Sequence, residues 1–460
     1  MKSLINGSVI NLGSKISRIS FTLLSTVFFA RYVSLTDFGV FAIIMIPMQI
    51  MMPYLESGFS NVLYKNNDLK LNSILHLLGK FIAFFITIIY FLTYYILSLN
   101  FDFTFDYIVF ILIIFYIFSL SNSVVPKALL FKNEQFKWVM WIEIIAVAIS
   151  TIIAVILAYF DFGLYALLTK LSLDALIQYL IFYRVSYQPS KFVDLKLVFL
   201  FKKHIYFGLR IALSRSLTGF TELIDKMYLT AFFPVNMVGA FSFIKSIAVL
   251  PDQSIRPAIS GASFVYLGKT NEPKEKEKIV LSLENLVLML IIIPLSLLVN
   301  YSDIIVDLFL GNKWLEYHLI LKTLGYLTLG LVFKSIINVS LVDSKRTVLL
   351  NKLFLIDFAI VAFAFSNIYY YNILDLLLLS KIFALSRLSY WLFLYILFSL
   401  TNKLYSNKLY LLKFTMLTHL LCYTFYYLNL NLNPILEIVL YLSLVISFPL
   451  FNKYFFNREL

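Results

Sequence analysis

Apolar runs of about 20 residues, following one another along the whole chain, limit what this sequence can fold into. A helix needs about 20 predominantly apolar residues to cross a hydrocarbon core about 30 Å thick. Inside that core only helices and closed barrels satisfy their own backbone groups. Fourteen such runs can be read, over roughly 8–32, 38–62, 74–98, 106–128, 138–160, 164–187 and 205–231, then 237–266, 279–300, 318–341, 348–369, 373–399, 408–428 and 434–452. Composition agrees, with 61% of the 460 residues apolar and 14% charged, against roughly 45–50% and about 25% in soluble domains. The expected fold is an all-α polytopic membrane protein. The first run, from about Gly7 to Tyr32, is too long for the apolar part of a secretion signal and no small-x-small cleavage site follows it, so it is read as helix 1.

A net charge of +13 would suit a nucleic-acid partner, but the basic residues fall in short tracts between apolar runs, as membrane anchors do. With the N-terminus inside, the cytoplasmic loops hold Lys65, Lys70, Lys127, Lys132, Lys137, Arg184, Lys191, Lys196, Lys202 and Lys203. Further along they hold Lys269, Lys274, Lys276, Lys278, Lys345, Arg346, Lys352, Lys403, Lys408 and Lys413, whereas the opposite loops hold only Arg31 and Lys313. This bias of roughly ten to one places both termini in the cytoplasm. The single Cys422 forms no intramolecular disulfide, and four scattered histidines give no metal spacing.

The longest inter-helix segment, Gln188 to His204, carries Pro189 and a basic amphipathic stretch between spans 6 and 7. The reading therefore divides the chain into a six-helix lobe over 1–187, a cytoplasmic linker over 188–204, a second six-helix lobe over 205–400 and two further helices over 401–460. An internal repeat supports this. Thr36-Asp37-Phe38-Gly39-Val40-Phe41 after span 1 matches Asn236-Met237-Val238-Gly239-Ala240-Phe241 after span 7. Repeats that keep the same orientation relate by an axis along the membrane normal.

An ionised side chain at mid-bilayer costs at least about 2.5–3.5 kcal/mol, so such residues face a cavity or a partner. Basic ones predominate here. Lys15 and Arg18 share one face of span 1, and span 7 holds Arg210, Arg215, Glu222, Asp225 and Lys226. Span 8 carries Asp252 and Arg256, and Glu56, Glu143, Lys334 and Asp357 lie in other spans. Glu222 with Lys226, and Lys170 with Asp174, stand four apart and would neutralise each other locally. Lys245, Lys322 and Arg387 are placed to snorkel toward an interface. A water-filled cavity lined by lysine and arginine would favour anions, with arginine suited to gripping phosphate oxygens in bidentate fashion. Pro47, Pro53, Pro251, Pro257 and Gly261 mark candidate hinges.

No phosphate-cradling Gly-x-x-x-x-Gly-Lys-Ser/Thr loop, His-Glu-x-x-His helix or Gly-x-Ser-x-Gly elbow is present. Transport energy is therefore expected from an ion gradient, the membrane potential or mass action. No cofactor beyond a coupling H+ or Na+ is expected, and no metal. Glu56, Glu222, Asp225 and Asp357 are the candidate coupling acids.

Arg31-Tyr32-Val33 followed by Leu35-Thr36-Asp37-Phe38-Gly39-Val40-Phe41-Ala42 resembles the first loop of Wzx-type polysaccharide flippases of the MOP superfamily. Glu56-Ser57-Gly58-Phe59, Asp161-Phe162-Gly163-Leu164-Tyr165-Ala166-Leu167 and Leu308-Phe309-Leu310-Gly311-Asn312-Lys313-Trp314 resemble later landmarks of that family. The resemblance implies twelve core helices in two lobes around a central cavity, plus two extra, with the cavity lined largely by helices 1, 2, 7 and 8 and so by Lys15, Arg18, Glu56, Arg210, Arg215, Asp225 and Arg256. It also implies flipping of an undecaprenyl-diphosphate-linked oligosaccharide across the inner membrane, among membrane lipids, with a polysaccharide polymerase and a chain-length regulator as partners. A multidrug extruder of the same superfamily would want an acidic cavity, whereas a lipid II flippase would want the same basic one. From another class, a membrane-embedded polymerase would carry a large periplasmic loop, but the longest here runs only from about Asn300 to His318.

Overall fold

The computed structural model describes residues 2–56, 69–101, 104–133, 135–186, 202–253, 294–343, 347–370 and 375–401, with Leu63 and Ile291 besides. Its helices are α1 (Lys2–Tyr32), α2 (Leu35–Glu56), α3 (Leu69–Asn100), α4 (Tyr107–Lys132), α5 (Phe136–Tyr159), α6 (Gly163–Ser186), α7 (Lys202–Phe232), α8 (Val235–Ala248), α9 (His318–Asp343), α10 (Thr347–Tyr370) and α11 (Leu376–Thr401). Six of the described helices are long and apolar enough to cross a bilayer by length and composition. Spans 13 and 14, most of span 9 and the second half of span 8 lie outside the described residues.

α3 shows why these helices belong in lipid. Leu75, Ala83, Ile86, Tyr90 and Tyr94 are buried, while Phe81, Phe84, Phe85, Ile88, Leu92 and Ile96 on the other side are exposed. A helix that is apolar all round has no face fit for water. Its buried face packs with α2, α4 and α6 around Ile44, Met48, Tyr90, Ile113, Ile117 and Leu168. Spare backbone acceptors tie this core together. The Tyr90 hydroxyl donates to the Ile44 carbonyl at 3.1 Å, and Ser172 donates to that of Leu112 at 2.8 Å.

Chain contacts divide the molecule into two compact units. The first holds Met1–Phe243, Phe309–Gly311 and Asn351–Leu374, and the second holds Ile244–Leu308, Asn312–Leu350 and Asp375–Leu460. Within the first unit the two copies of the repeated motif touch. Ser34 opens α2 by accepting a hydrogen bond from the Asp37 backbone N–H at 3.1 Å. One turn later the helix meets the start of α8. A Cβ added at Gly39 would lie 1.9 Å from the Val235 carbonyl oxygen, and one added at Gly239 would lie 2.1 Å from the Leu35 oxygen and 2.5 Å from the Gly39 nitrogen. Leu35 stands to Gly39 as Val235 stands to Gly239, so the contact is self-complementary. Only a residue without a side chain fits on either side. Phe38 and Phe243 close one flank, their rings 4.4 Å apart.

The prolines behave differently from one another. α2 runs unbroken from Leu35 to Glu56 through Pro47 and Pro53. α8 ends at Ala248, before Pro251, while Pro257 and Gly261 lie outside the described residues.

Candidate functional site

A polar seam joins α1 to α6 inside the first unit. Arg18 and Ser25 stand seven residues apart on α1 with Thr22 between them, a spacing that lines them along one helix face. Lys170, Asp174 and Gln178 do the same on α6. The helices run antiparallel, so Arg18 meets Asp174 and Ser25 meets Lys170. Arg18 Nη2 donates to Asp174 Oδ2 at 2.5 Å, and Gln178 Nε2 donates to Asp174 Oδ1 at 2.8 Å. Lys170 Nζ donates to Ser25 Oγ and lies 5.5 Å from the centre of the Phe29 ring. Asp174 is sunk into the bundle at 13% exposure, whereas the Arg18 side chain is 40% exposed. A guanidinium carries five N–H donors. Among the described residues, Asp174 engages one terminal nitrogen of that fork. Glu56 from α2, with Arg18 and Asp174, lies within electrostatic reach of Tyr116 on α4.

This corrects the local reading of α6. Asp174 pairs with Arg18, 156 residues away, and Lys170 turns to Ser25 instead of neutralising Asp174. The sequence signal was two polar stripes, Arg18-Thr22-Ser25 and Lys170-Asp174-Gln178, each on one face of its helix. A second ion pair joins α4 to α5. Lys127 Nζ meets Glu143 Oε1 at 2.6 Å, with the same nitrogen 5.8 Å from the Phe182 ring. Lys127 had been read as a loop anchor and Glu143 as an isolated intramembrane acid.

Two carboxylates lie deeper. Asp225 on α7 and Asp357 on α10 are both fully buried. Ring pairs hold these helices together, Phe220 with Phe358 at 5.4 Å and Tyr228 with Phe365 at 4.9 Å. They also set the register, which places Asp225 and Asp357 about 8 Å apart along the helix axes at 1.5 Å rise per residue. The two acids therefore mark two levels of one helix pair and not one shared site. Of the other candidate acids, Glu222 is half-buried and Glu56 is exposed at the end of α2.

Among the candidate cations, Arg215 is exposed on α7. The neighbouring Ser216 hydroxyl donates to the Ile50 carbonyl at 3.0 Å and ties α7 to α2. Lys15 and Arg210 stand on α1 and α7, with side chains outside the described residues, as is all of Arg256. In the second unit Lys245 Nζ lies 4.8 Å and Arg387 Cζ 4.9 Å from the Phe383 ring centre, and Lys334 Nζ lies 6.0 Å from Trp391. Arg387 is 2% exposed, so it does not snorkel.

The segment after Tyr301 is compact, a π-helical turn over Val306–Leu310 and a 3-10 turn over Asn312–Tyr317 separated by Gly311 at φ +92°. Trp314 is fully buried there. Burial lowers the Lys313 ammonium below its ordinary range, and burial together with Glu316 pushes the Tyr317 hydroxyl up to about 12.

This bundle of long helices is similar in fold to solved structures of transporters. The chain matches the lipid II flippase MurJ in its inward closed conformation with a TM-score of 0.70 at 17% identity, covering 99% of both chains. It matches an inward-facing MATE-family multidrug resistance transporter at 0.63 and 14% identity, over 85% of this chain and 96% of that one. A MOP-superfamily transporter from Pyrococcus furiosus, described as having a binding pocket of reversed polarity, matches at 0.60 and 12% identity, over 85% and 94%. The chain belongs to the polysaccharide biosynthesis protein family Polysacc_synt_3, whose model matches residues 28–319, more than half its length. It is also 25% identical over 173 residues to the succinoglycan biosynthesis transport protein ExoT of Rhizobium meliloti (strain 1021). That match covers 37% of this chain and spans about a third of the relative's length. The protein is thus a multi-pass membrane protein of polysaccharide biosynthesis with a transporter fold.

Proposed function

We propose that this chain is an inner-membrane flippase that carries an undecaprenyl-diphosphate-linked oligosaccharide from the cytoplasmic to the periplasmic leaflet by alternating access. Both termini lie in the cytoplasm, the lobes are 1–187 and 205–400, and the helices of 401–460 are an addition to them. The observation that carries this reading is Arg18 on α1, 40% exposed and held to α6 through one terminal nitrogen among the described residues. The remaining donors of its fork suit a phosphate group. Lys15, Arg210, Arg215 and Arg256 extend the grip along the substrate. Family membership and the transport relative support a polysaccharide precursor as cargo. Lipid II is the second reading, favoured by the likeness to MurJ over nearly the whole chain. The protein acts by transport and not by catalysis, with any H+ or Na+ coupling taken up by Asp225 and Asp357, both fully buried. The polymerase and chain-length regulator of the same assembly line are its partners.

Deletion of the gene, scored by surface polysaccharide and by the sidedness of lipid-linked repeat units, tests this. Single units held on the cytoplasmic leaflet, unrescued by an Arg18→Ala copy, are the expected result. Units that reach the periplasm but stay unpolymerised would instead make this protein the polymerase.

A further inference from the structure

Arg18 does not stand ready for a ligand as a bare cation. Its closest partner is an acid from the same chain, Asp174, whose second oxygen is held by Gln178. Lys170 lies one turn earlier on the same face of α6, and its ammonium is spent on a neutral hydroxyl, Ser25, and the Phe29 ring. Positions four apart on a helix are neighbours, with Cβ atoms about 5–6 Å apart. Asp174 can therefore reach either cation by a change of rotamer, Arg18 across the seam or Lys170 beneath it. Only the first contact is made here.

We propose that Asp174 is the resident counter-anion of Arg18, displaced onto Lys170 when a diphosphate binds, so that loading exchanges one anion for another. This rests on the flippase reading. A diphosphate suits the exchange because it offers several charged oxygens to a planar fork, where Asp174 offers one. A neutral or singly charged headgroup gains too little to evict a carboxylate already in place. The resident acid also has a part in release. As the ligand leaves, Asp174 returns from Lys170 to Arg18 and covers the grip, so a tightly charged headgroup does not stall in the site. Lys170 serves as the parking place that keeps the displaced carboxylate paired inside the membrane.

The exchange predicts opposite signs for binding and transport. In the purified full-length protein, Asp174→Asn is expected to bind undecaprenyl diphosphate roughly tenfold more tightly, since the competing charge is gone. The same variant is expected to flip lipid-linked units several-fold more slowly in cells. Lys170→Met should weaken binding a few-fold in the parent protein, yet change little when Asp174 is already Asn, because nothing then needs parking. Should Asp174→Asn fail to assemble, Gln178→Leu, which frees the other oxygen of Asp174, is expected to tighten binding about threefold. Inorganic diphosphate run alongside shows whether the headgroup alone is recognised, and undecaprenyl monophosphate is expected to bind Asp174→Asn and the parent with a smaller difference. A parent protein that does not bind undecaprenyl diphosphate overturns the flippase reading and this proposal with it. A parent that binds it, with well-assembled Asp174→Asn or Gln178→Leu binding no more tightly, overturns the exchange alone.

Discussion

Arg18 in the first unit and Arg387 in the second both sit on long helices, but their surroundings differ. Arg18 is met by a carboxylate at 2.5 Å and remains 40% exposed. Arg387 is 2% exposed and lies 4.9 Å from the Phe383 ring centre, a ring that Lys245 also approaches. A carboxylate cancels charge, at the cost of desolvating a second ion. An aromatic face eases burial through its quadrupole. The first arrangement is exchangeable, because one anion can replace another at a half-exposed side chain. The second is fixed, because the side chain is enclosed in a packed interior. The comparison teaches that formal charge in a membrane helix says little about role until its partner is known.

Truncation should separate the two. Arg387→Ala removes a large buried side chain and is expected to cost about 3 kcal/mol or more, seen as a marked drop in thermal midpoint in detergent, with Arg387→Met recovering most of it. If Arg387→Ala melts like the parent, the second region is no tighter than the first. Phe383→Leu keeps the apolar volume but removes the quadrupole, and about 1–2 kcal/mol should be lost. A loss below the noise of a thermal shift would show that the ring is a mere neighbour. Smallest in stability is Arg18→Ala, at under about 1 kcal/mol for an ion pair so open to solvent, yet lipid-linked repeat units should accumulate inside the cell. An Arg18→Ala protein that is unstable and still transports would invert the contrast.

The helices were legible in the sequence, because apolar length is a local property. The third run, read as 74–98, is the core of α3, Leu69–Asn100. Its first turn escaped that reading because Asn72 and Ser73 lower the local hydropathy although both are buried. The repeated motif showed that Gly39 and Gly239 correspond, but not that the two positions touch. Partner choice was not legible. Lys170 and Asp174 have the spacing of a local pair, and nothing nearby in the chain says that α1 brings Arg18 closer. The same holds for Lys127 and Glu143, whose pairing depends on how α4 and α5 lie together. Burial of Arg387 was missed because its neighbours in sequence are those of a snorkelling residue, and only the packing of α11 against α9 encloses it.

The crossing of α2 and α8 has a consequence for heredity. Because Gly39 rests on Val235 and Gly239 rests on Leu35, a methyl group gained in either copy of the repeat is a fault in both helices at once. The two copies can drift apart in every side chain that faces lipid or its own bundle, but at this point they are bound to one another's history. A variant of this chain must therefore keep both glycines or re-seat both helices in the same step.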